Sequence, residues 1–321
     1  MVHWKEVLRK NFTQWEPLCD YLELDEAARP HILKKSIFPL NLPYRLASKI
    51  KKNSLTDPIL LQFVPLSEEE QKIPGYSRDP LQETTFKQSS KLLQKYPSRA
   101  LLVTTSACAM HCRFCFRRHF DYDVHSKSLD LDLQKTREDP SIKEIILSGG
   151  DPLSLNNETL ASMITSLETI PHIRRLRIHT RFPIGIPERL DPELLHLLGK
   201  SRLQIWVVIH CNHAQELDVD VLSALKSVQK QGIPVLNQAV LLKGVNDSIA
   251  AQQSLAETLI DHGILPYYLH QLDKVEGAAH FAVEDHIGVQ LIEELQKRIS
   301  GYGVPKFVRE IPQKLSKTPL C

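Results

Sequence analysis

From residue 100 onward the chain repeats one signal, a short apolar run followed by a helical stripe, and this repeat narrows the possible folds more than any other feature. The runs are ALLVTTSA from Ala100, EIILSGG from Glu144, RLRIHTR from Arg175, QIWVVIHC from Gln204, PVLNQAVLL from Pro234 and LPYYLHQL from Leu265. They carry near-continuous Ile, Val and Leu, as strands buried on both faces do. After a longer first gap their starts fall about 30 residues apart, the length of one strand–helix unit. Between them Leu160, Met163, Ile164 and Leu167 make one helical stripe. Leu217, Val221, Leu225 and Val228 make a second, and Ile287, Leu291, Leu295 and Ile299 a third. Such alternation gives an α/β fold, a parallel sheet covered by helices. Six units are too few to close an eight-stranded barrel, so the spacing predicts a partial (β/α)6 barrel of parallel strands. A doubly wound open sheet has the same periodicity and remains the rival.

Residues 1–99 lack the beat and are expected to form a helical N-terminal extension packed on a barrel of residues 100–321. LTDPILLQFVP and EEEQKIPGYSRDPLQE read as connecting segments. A formal net charge of +2 offers no global attraction to nucleic acid or membrane, so any basic effect must be local. MVHWKEVLRKNF has no apolar run resembling a signal peptide, and no segment approaches the roughly 18 apolar residues of a membrane span. A cytoplasmic protein with reduced thiols is expected. Clustered cysteines there bind metal or do redox chemistry, whereas the isolated Cys19, Cys211 and Cys321 read as free or buried thiols.

Active sites of β/α barrels lie at the C-terminal ends of the strands. Cys108 follows the first run, Gly149 and Gly150 end the second, His210 and Cys211 end the fourth, and Asp273 follows the sixth. TTSACAMHCRFCFRRHF, residues 104–120, spaces Cys108, Cys112 and Cys115 as C-x3-C-x2-C. With His111 or His119 the three could make a structural zinc site. Zinc modules usually split their ligands into two separated pairs, however, and here they crowd one loop. Three thiolates on one loop also suit a cubane iron–sulfur cluster whose fourth iron stays open to a small molecule.

C-x3-C-x2-C at the end of the first strand of a β/α barrel resembles the signature of the radical S-adenosylmethionine superfamily. The resemblance implies a 4Fe–4S cluster on Cys108, Cys112 and Cys115. Its open iron would chelate S-adenosylmethionine, which is cleaved to methionine and a 5′-deoxyadenosyl radical. Phe114 resembles the aromatic that packs near the adenine. SGGDP, residues 148–152, resembles the glycine-rich strand end that binds the methionine amino group, which implies S-adenosylmethionine contacts from Ser148, Gly149, Gly150 and Asp151. A tight turn would equally explain the glycine pair alone. His210 and Gln238 match further positions near that cofactor, and Arg113 and Arg118 are read as offsetting the cluster's negative charge.

A closer resemblance runs from about Asp79 to Leu320. KYPSRALLVTTSACAMHCRFCFRRHF, LSGGDPL, IHCNHAQEL, NQAVLLKGVND, PYYLHQLDKVEGAAHF and SGYGVPKFVREIPQKLSKTPL are similar to the lysine 2,3-aminomutase family, which adds pyridoxal 5′-phosphate. HQLDKVEGAAHF and SKTPL most resemble the branch that makes (R)-β-lysine for modifying elongation factor P. The implied substrate is L-lysine. The radical removes a hydrogen from an unactivated carbon, the cofactors carry the hard steps, and the protein anchors and orients. A reductant such as flavodoxin or ferredoxin, a functional link to elongation factor P and its lysyl-transferring ligase, and a homo-oligomer are all compatible with that resemblance.

Residue by residue, Lys317 in Lys317-Thr318-Pro319 matches the lysine that binds pyridoxal phosphate as a Schiff base. Lys314 competes, because the family's preceding glycine-rich run is here Pro312-Gln313-Lys314-Leu315-Ser316. Lys95 and Arg99 of KYPSR match the phosphate partners, and Tyr96 a residue near the ring. Arg117 corresponds to the residue that pairs with the substrate carboxylate. Asp273 and Glu310 occupy the two positions that receive the substrate's ε-ammonium, whose desolvation needs acidic partners. Glu310 replaces a more usual aspartate. An aminomutase of lysine catabolism or solute synthesis is the neighbouring reading. An RNA-modifying radical enzyme, drawn from the basic and aromatic CRFCFRRHF, is another. That reading leaves Lys317, Asp273 and Glu310 without work, and a zinc or electron-transfer protein, the third, has no need of 321 residues of barrel.

Overall fold

The structure, a computed structural model, describes residues 2–122 and 128–321. Nine strands form one sheet in chain order: β1 (Leu92–Tyr96), β2 (Arg99–Thr105), β3 (Glu144–Gly149), β4 (Arg175–Thr180), β5 (Gln204–His210), β6 (Val235–Val240), β7 (Leu265–His270), β8 (Lys306–Arg309) and β9 (Thr318–Pro319). β1 and β2 make an antiparallel hairpin, with Ser98 at a φ of +67° in the turn. β2 through β8 run parallel, and β9 returns antiparallel along β8. The strand order never reverses, so successive right-handed crossovers put their helices on one face and the sheet curls. A doubly wound sheet needs a reversal at its switch point, and this topology has none. β1 and β9 remain unpaired with each other, which leaves the barrel partial.

Strands β2 to β7 coincide with the six expected runs. β8 adds a seventh parallel strand that its four residues made too short to read as an apolar run. The sheet also begins at Leu92, ahead of the first expected strand.

Helices α1 (Trp4–Leu8), α2 (Trp15–Tyr21), α3 (Tyr44–Ala47) and α4 (Pro58–Phe63) precede the sheet. α5 (Asp130–Glu138), α6 (Asn157–Glu168), α7 (Phe182–Gly185), α8 (Pro192–Gly199), α9 (Val219–Gln229), α10 (Ile249–Asp261) and α11 (Asp285–Gln296) fall between strands. Side-chain caps start the longer ones: Asn156 accepts from the Thr159 amide for α6, Asp218 from Val221 for α9 and Ser248 from Ala251 for α10. α6 buries all four residues of its predicted stripe. Leu217 precedes α9, and Ile299 lies beyond the end of α11, so those two stripes are one residue shorter than read.

The N-terminal helices share a core with the barrel. Leu18, Leu22, Leu42, Leu46, Leu60 and Phe63 belong to the same buried cluster as Leu102, Ile145 and Leu176. Trp4 meets Phe182 of α7 edge-on at 5.4 Å. Arg45 of α3 adds polar ties to Glu188 (3.0 Å), Asp218 (3.1 Å) and Asp220 (2.9 Å). Among the described residues no helix is long and apolar enough to cross a membrane.

Candidate active site

A cavity of about 530 Å³ fills the barrel, from Glu144 and Arg177 to the strand ends at Gly149 and His210. Every site residue expected from the sequence lines it: the three cysteines, Phe114 and Arg117; Ser148, Gly149, Gly150 and Asp151; His210 and Gln238; Lys95, Tyr96 and Arg99; Asp273, Glu310 and Lys317. Lys314 is exposed and off the cavity wall.

The cysteine loop is braced from below. Arg113 is fully buried, donating from Nε and Nη2 to the two oxygens of Glu69 at 2.7 and 2.6 Å and from Nη1 to the Phe38 carbonyl at 2.8 Å. Arg118 shares Glu69 at 2.7 Å. These two arginines therefore staple the loop to the N-terminal region through Glu69.

The glycine pair has a packing reason. At Gly149, φ +128°, a Cβ would sit 2.6 Å from the Thr105 carbonyl, and at Gly150 it would run into the Ala107 carbonyl. Their bareness lets the end of β3 lie against the entry to the cysteine loop, where the Gly150 amide donates to Thr105 at 2.6 Å. Asp151 is buried, and its carboxylate already accepts from Thr180 Oγ1 and the amides of Leu153, Arg181 and Phe182. It fixes the neighbouring strand ends.

The donor set suits a cluster better than one zinc ion. Arg181, buried, places Nη1 3.0 Å from Cys112 Sγ, while its Nη2 holds Glu216 at 2.7 Å and Gln62 at 2.6 Å. A fixed cation beside sulfur favours thiolate. Burial pushes all three thiols up, Cys115 to about 11, so ligation here means metal displacing protons. His111 stacks on Phe38 at 4.6 Å with Nδ1 2.8 Å from the Pro39 carbonyl, and neither His111 nor His119 lines the cavity. Neither histidine joins the three cysteines on the cavity wall, so a Cys3His zinc site does not assemble there, whereas a cubane needs only the three thiolates, each on its own iron. Phe114 meets Phe281 edge-on at 6.1 Å, with the Arg181 guanidinium 5.4 Å from its ring.

At the other end Glu310 is a hub. Lys317 Nζ donates to it at 2.6 Å, and Lys95 and Tyr96 reach its other oxygen. Burial works against the charge, but Lys317, Lys95 and Tyr96 together hold Glu310 below the usual carboxylate range. Arg99 stacks on Tyr96 at 4.2 Å, and Lys317 Nζ lies 5.7 Å from the Tyr268 ring centre. Two ammonium groups, a guanidinium and two phenol rings on one wall fit a phosphorylated aromatic cofactor. Asp273 differs: its half-buried carboxylate has no hydrogen bond or ion pair among the described residues. Burial pushes it up to about 7, with Lys317 opposing.

Arg117 is buried and already paired, Nε and Nη2 to Glu83 at 2.8 and 2.6 Å, with Nη1 on Ser148 Oγ at 2.9 Å. The facing Nε2 atoms of His210 and Gln238 lie 2.6 Å apart, and burial drops His210 to about 3, with Arg181 and Arg117 adding to it. Sequence reasoning missed Glu83, Arg181, His179 and His270. The last three sit at strand ends, the same signal that singled out His210, whereas Glu83 lies in a segment read only as a connection.

A partial barrel with a three-thiol loop after its second strand defines a radical S-adenosylmethionine protein, and the model of the Radical SAM superfamily matches residues 102–251. Solved structures share that fold. Streptococcus suis SuiB bound to S-adenosylmethionine aligns with a TM-score of 0.50 at 16% identity, over 68% of this chain and 51% of that one. A radical SAM methyltransferase from Sphaerobacter thermophilus gives 0.50 at 19%, over 68% of both. Among curated relatives, L-lysine 2,3-aminomutase of Escherichia coli strain K12 is 43% identical over 89% of this chain and 84% of its own. That of Haemophilus influenzae is 41% identical over 98% and 95%, and that of Clostridium subterminale 34% over 99% and 77%. The chain belongs to the lysine 2,3-aminomutase family, radical isomerases that use a 4Fe–4S cluster, S-adenosylmethionine and pyridoxal phosphate.

Proposed function

We propose that this protein converts L-α-lysine to (R)-β-lysine in the cytoplasm and that the product supplies the modification of elongation factor P. The observation that carries the reading is one cavity lined both by the thiol loop and by Lys317, Asp273 and Glu310. The bound cluster, S-adenosylmethionine and pyridoxal phosphate supply the radical and the π-system for the amino shift. The chain's own residues do the holding. Cys108, Cys112 and Cys115 take the cluster. Phe114, Ser148, Gly149, Gly150, Asp151, His210 and Gln238 shape the S-adenosylmethionine side.

Lys317 anchors pyridoxal phosphate, Lys95 and Arg99 meet its phosphate, and Tyr96 flanks its ring. Arg117 receives the substrate's α-carboxylate, and Asp273 with Glu310 receives its ε-ammonium, which selects lysine over an acidic amino acid. The residues ahead of Leu92 act as a helical extension of the barrel, a boundary somewhat earlier than the one at residue 99 expected from the sequence. A small reductant such as flavodoxin or ferredoxin delivers the electron. The link to elongation factor P and its lysyl-transferring ligase is supported by the wording of HQLDKVEGAAHF and SKTPL.

The test is an anaerobic assay on cluster-loaded protein with all cofactors, resolving the product's chirality. (R)-β-lysine is expected. No β-lysine from a loaded preparation overturns the proposal, and the (S) form moves the protein to a catabolic or solute-forming role. Mass analysis of elongation factor P incubated with product and ligase tests the final step.

A further inference from the structure

Resting on the reading of Arg117 as the substrate-carboxylate residue, one neighbour of that arginine acquires a role. A guanidinium offers a carboxylate two forked faces, one through Nε and Nη2 and one through Nη1 and Nη2. In Arg117 the first face is filled by Glu83 with both bonds, at 2.8 and 2.6 Å. The second face meets only neutral oxygens, Ser148 Oγ at 2.9 Å and the Gly149 carbonyl at 3.4 Å, and it borders the cavity. Rings close the remaining sides: the guanidinium carbon lies 4.9 Å from the centre of Phe116 and 5.7 Å from that of Phe120.

Glu83 is itself fixed. It begins the short turn Glu83–Phe86, and its amide donates to Asp79 Oδ1 at 3.0 Å. Its side chain keeps only 14% of its exposure, and that of Arg117 4%. The pair is therefore desolvated, where a fixed fork retains its orientation. Without Glu83 the arginine keeps its charge and loses the contact that decides which face it turns to the cavity.

We propose that Glu83 is a positioning residue that aims the cavity-side face of Arg117, which carries only neutral partners, at the substrate's α-carboxylate, and thereby sets the preference for an amino acid over the corresponding diamine. L-lysine and 1,5-diaminopentane share both amino groups and differ in that carboxylate, so the ratio of their affinities reads this function and little else.

The experiment is equilibrium dialysis of each compound against the reconstituted protein, anaerobic and without reductant, so that no turnover occurs. Wild type is expected to prefer lysine. Glu83→Gln should cut that preference at least tenfold while changing diamine affinity less than twofold, and Glu83→Asp, which keeps the charge with a shorter reach, should fall between. An unchanged ratio in Glu83→Gln, or equal weakening of both compounds, overturns the proposal. Should Glu83→Gln fail to fold, Glu83→Asp decides alone, and a wild-type ratio overturns it. A wild type that shows no preference refutes the reading of Arg117 itself, a failure visible before any substitution is made.

Discussion

The two ends of the cavity are built to different standards of rigidity. At the thiol end, Arg113 and Glu69 form a pair with side chains 0% and 3% exposed, and two backbone segments press together across Gly149 and Gly150. At the other end, Lys317 follows a segment, residues 313–316, that is exposed throughout, and its strand β9 has two residues. What holds it is the ion pair with Glu310, the β8 pairing and one hydrogen bond donated by the Leu320 amide to the Phe307 carbonyl at 2.9 Å. The difference teaches a division of labour. A cluster demands thiolates already placed around it, whereas a lysine that must reach a cofactor benefits from slack. Preorganisation is spent where the ligand cannot adapt.

That contrast can be broken by substitution. Cys115→Ala and Lys317→Ala should each abolish β-lysine formation, for different reasons. The first should lose iron and sulfide on analysis. The second should keep both and unfold within about 1 kcal/mol of wild type, because Lys95 and Tyr96 remain on Glu310. Borohydride trapping should label Lys317 and leave Lys314→Ala unaffected; label on Lys314 would reverse the anchor assignment. Next in size, Arg113→Met leaves the buried Glu69 carboxylate with Arg118 as its one remaining cation and should cost about 2–3 kcal/mol in denaturant melts, with loss of the cluster following. A change below 1 kcal/mol would show that the thiol end is not braced as described. Leu315→Ser, on the slack segment and 75% exposed, should stay within about 0.5 kcal/mol.

The same division explains what the sequence made legible. Strands β2 to β7 announced themselves because both faces are buried, so their composition is apolar throughout. β8 and β9 are short and lie at the open edge, where no continuous run is needed. The thiols were singled out by their spacing, and Lys317 and Asp273 only by resemblance to the aminomutase family, a likeness that survives in linear order. Glu83 was not, since its partner lies 34 residues away and nothing local marks a glutamate that will be buried against an arginine. The bracing by Glu69 was hidden in the same way: nothing local to Arg113 and Arg118 marks a carboxylate 44 to 49 residues earlier as their partner. Long-range ion pairs are fixed by the fold, and a one-dimensional pattern carries no trace of them.

The last expected effect concerns Asp273, whose carboxylate, unlike that of Glu310, has no hydrogen-bond or ion-pair partner among the described residues. Glu310 is held below the ordinary range by Lys317, Lys95 and Tyr96, so it is ionised throughout the working pH range. Asp273 is pushed up to about 7 by burial, with Lys317 the main opposing influence. Only its ionised form can receive an ammonium. In kcat/KM for lysine, which reports groups of the free enzyme, activity should therefore fall about tenfold per pH unit below about 7 and level off above it. Asp273→Asn should erase the limb and raise KM on the order of 100-fold, corresponding to about 3 kcal/mol for one desolvated charge partner, with kcat changed less. A wild-type profile that stays flat between pH 6 and about 8 would mean that Asp273 is ionised already or uninvolved. Cluster loading should be the same in both proteins, so any loss traces to the slack end of the cavity.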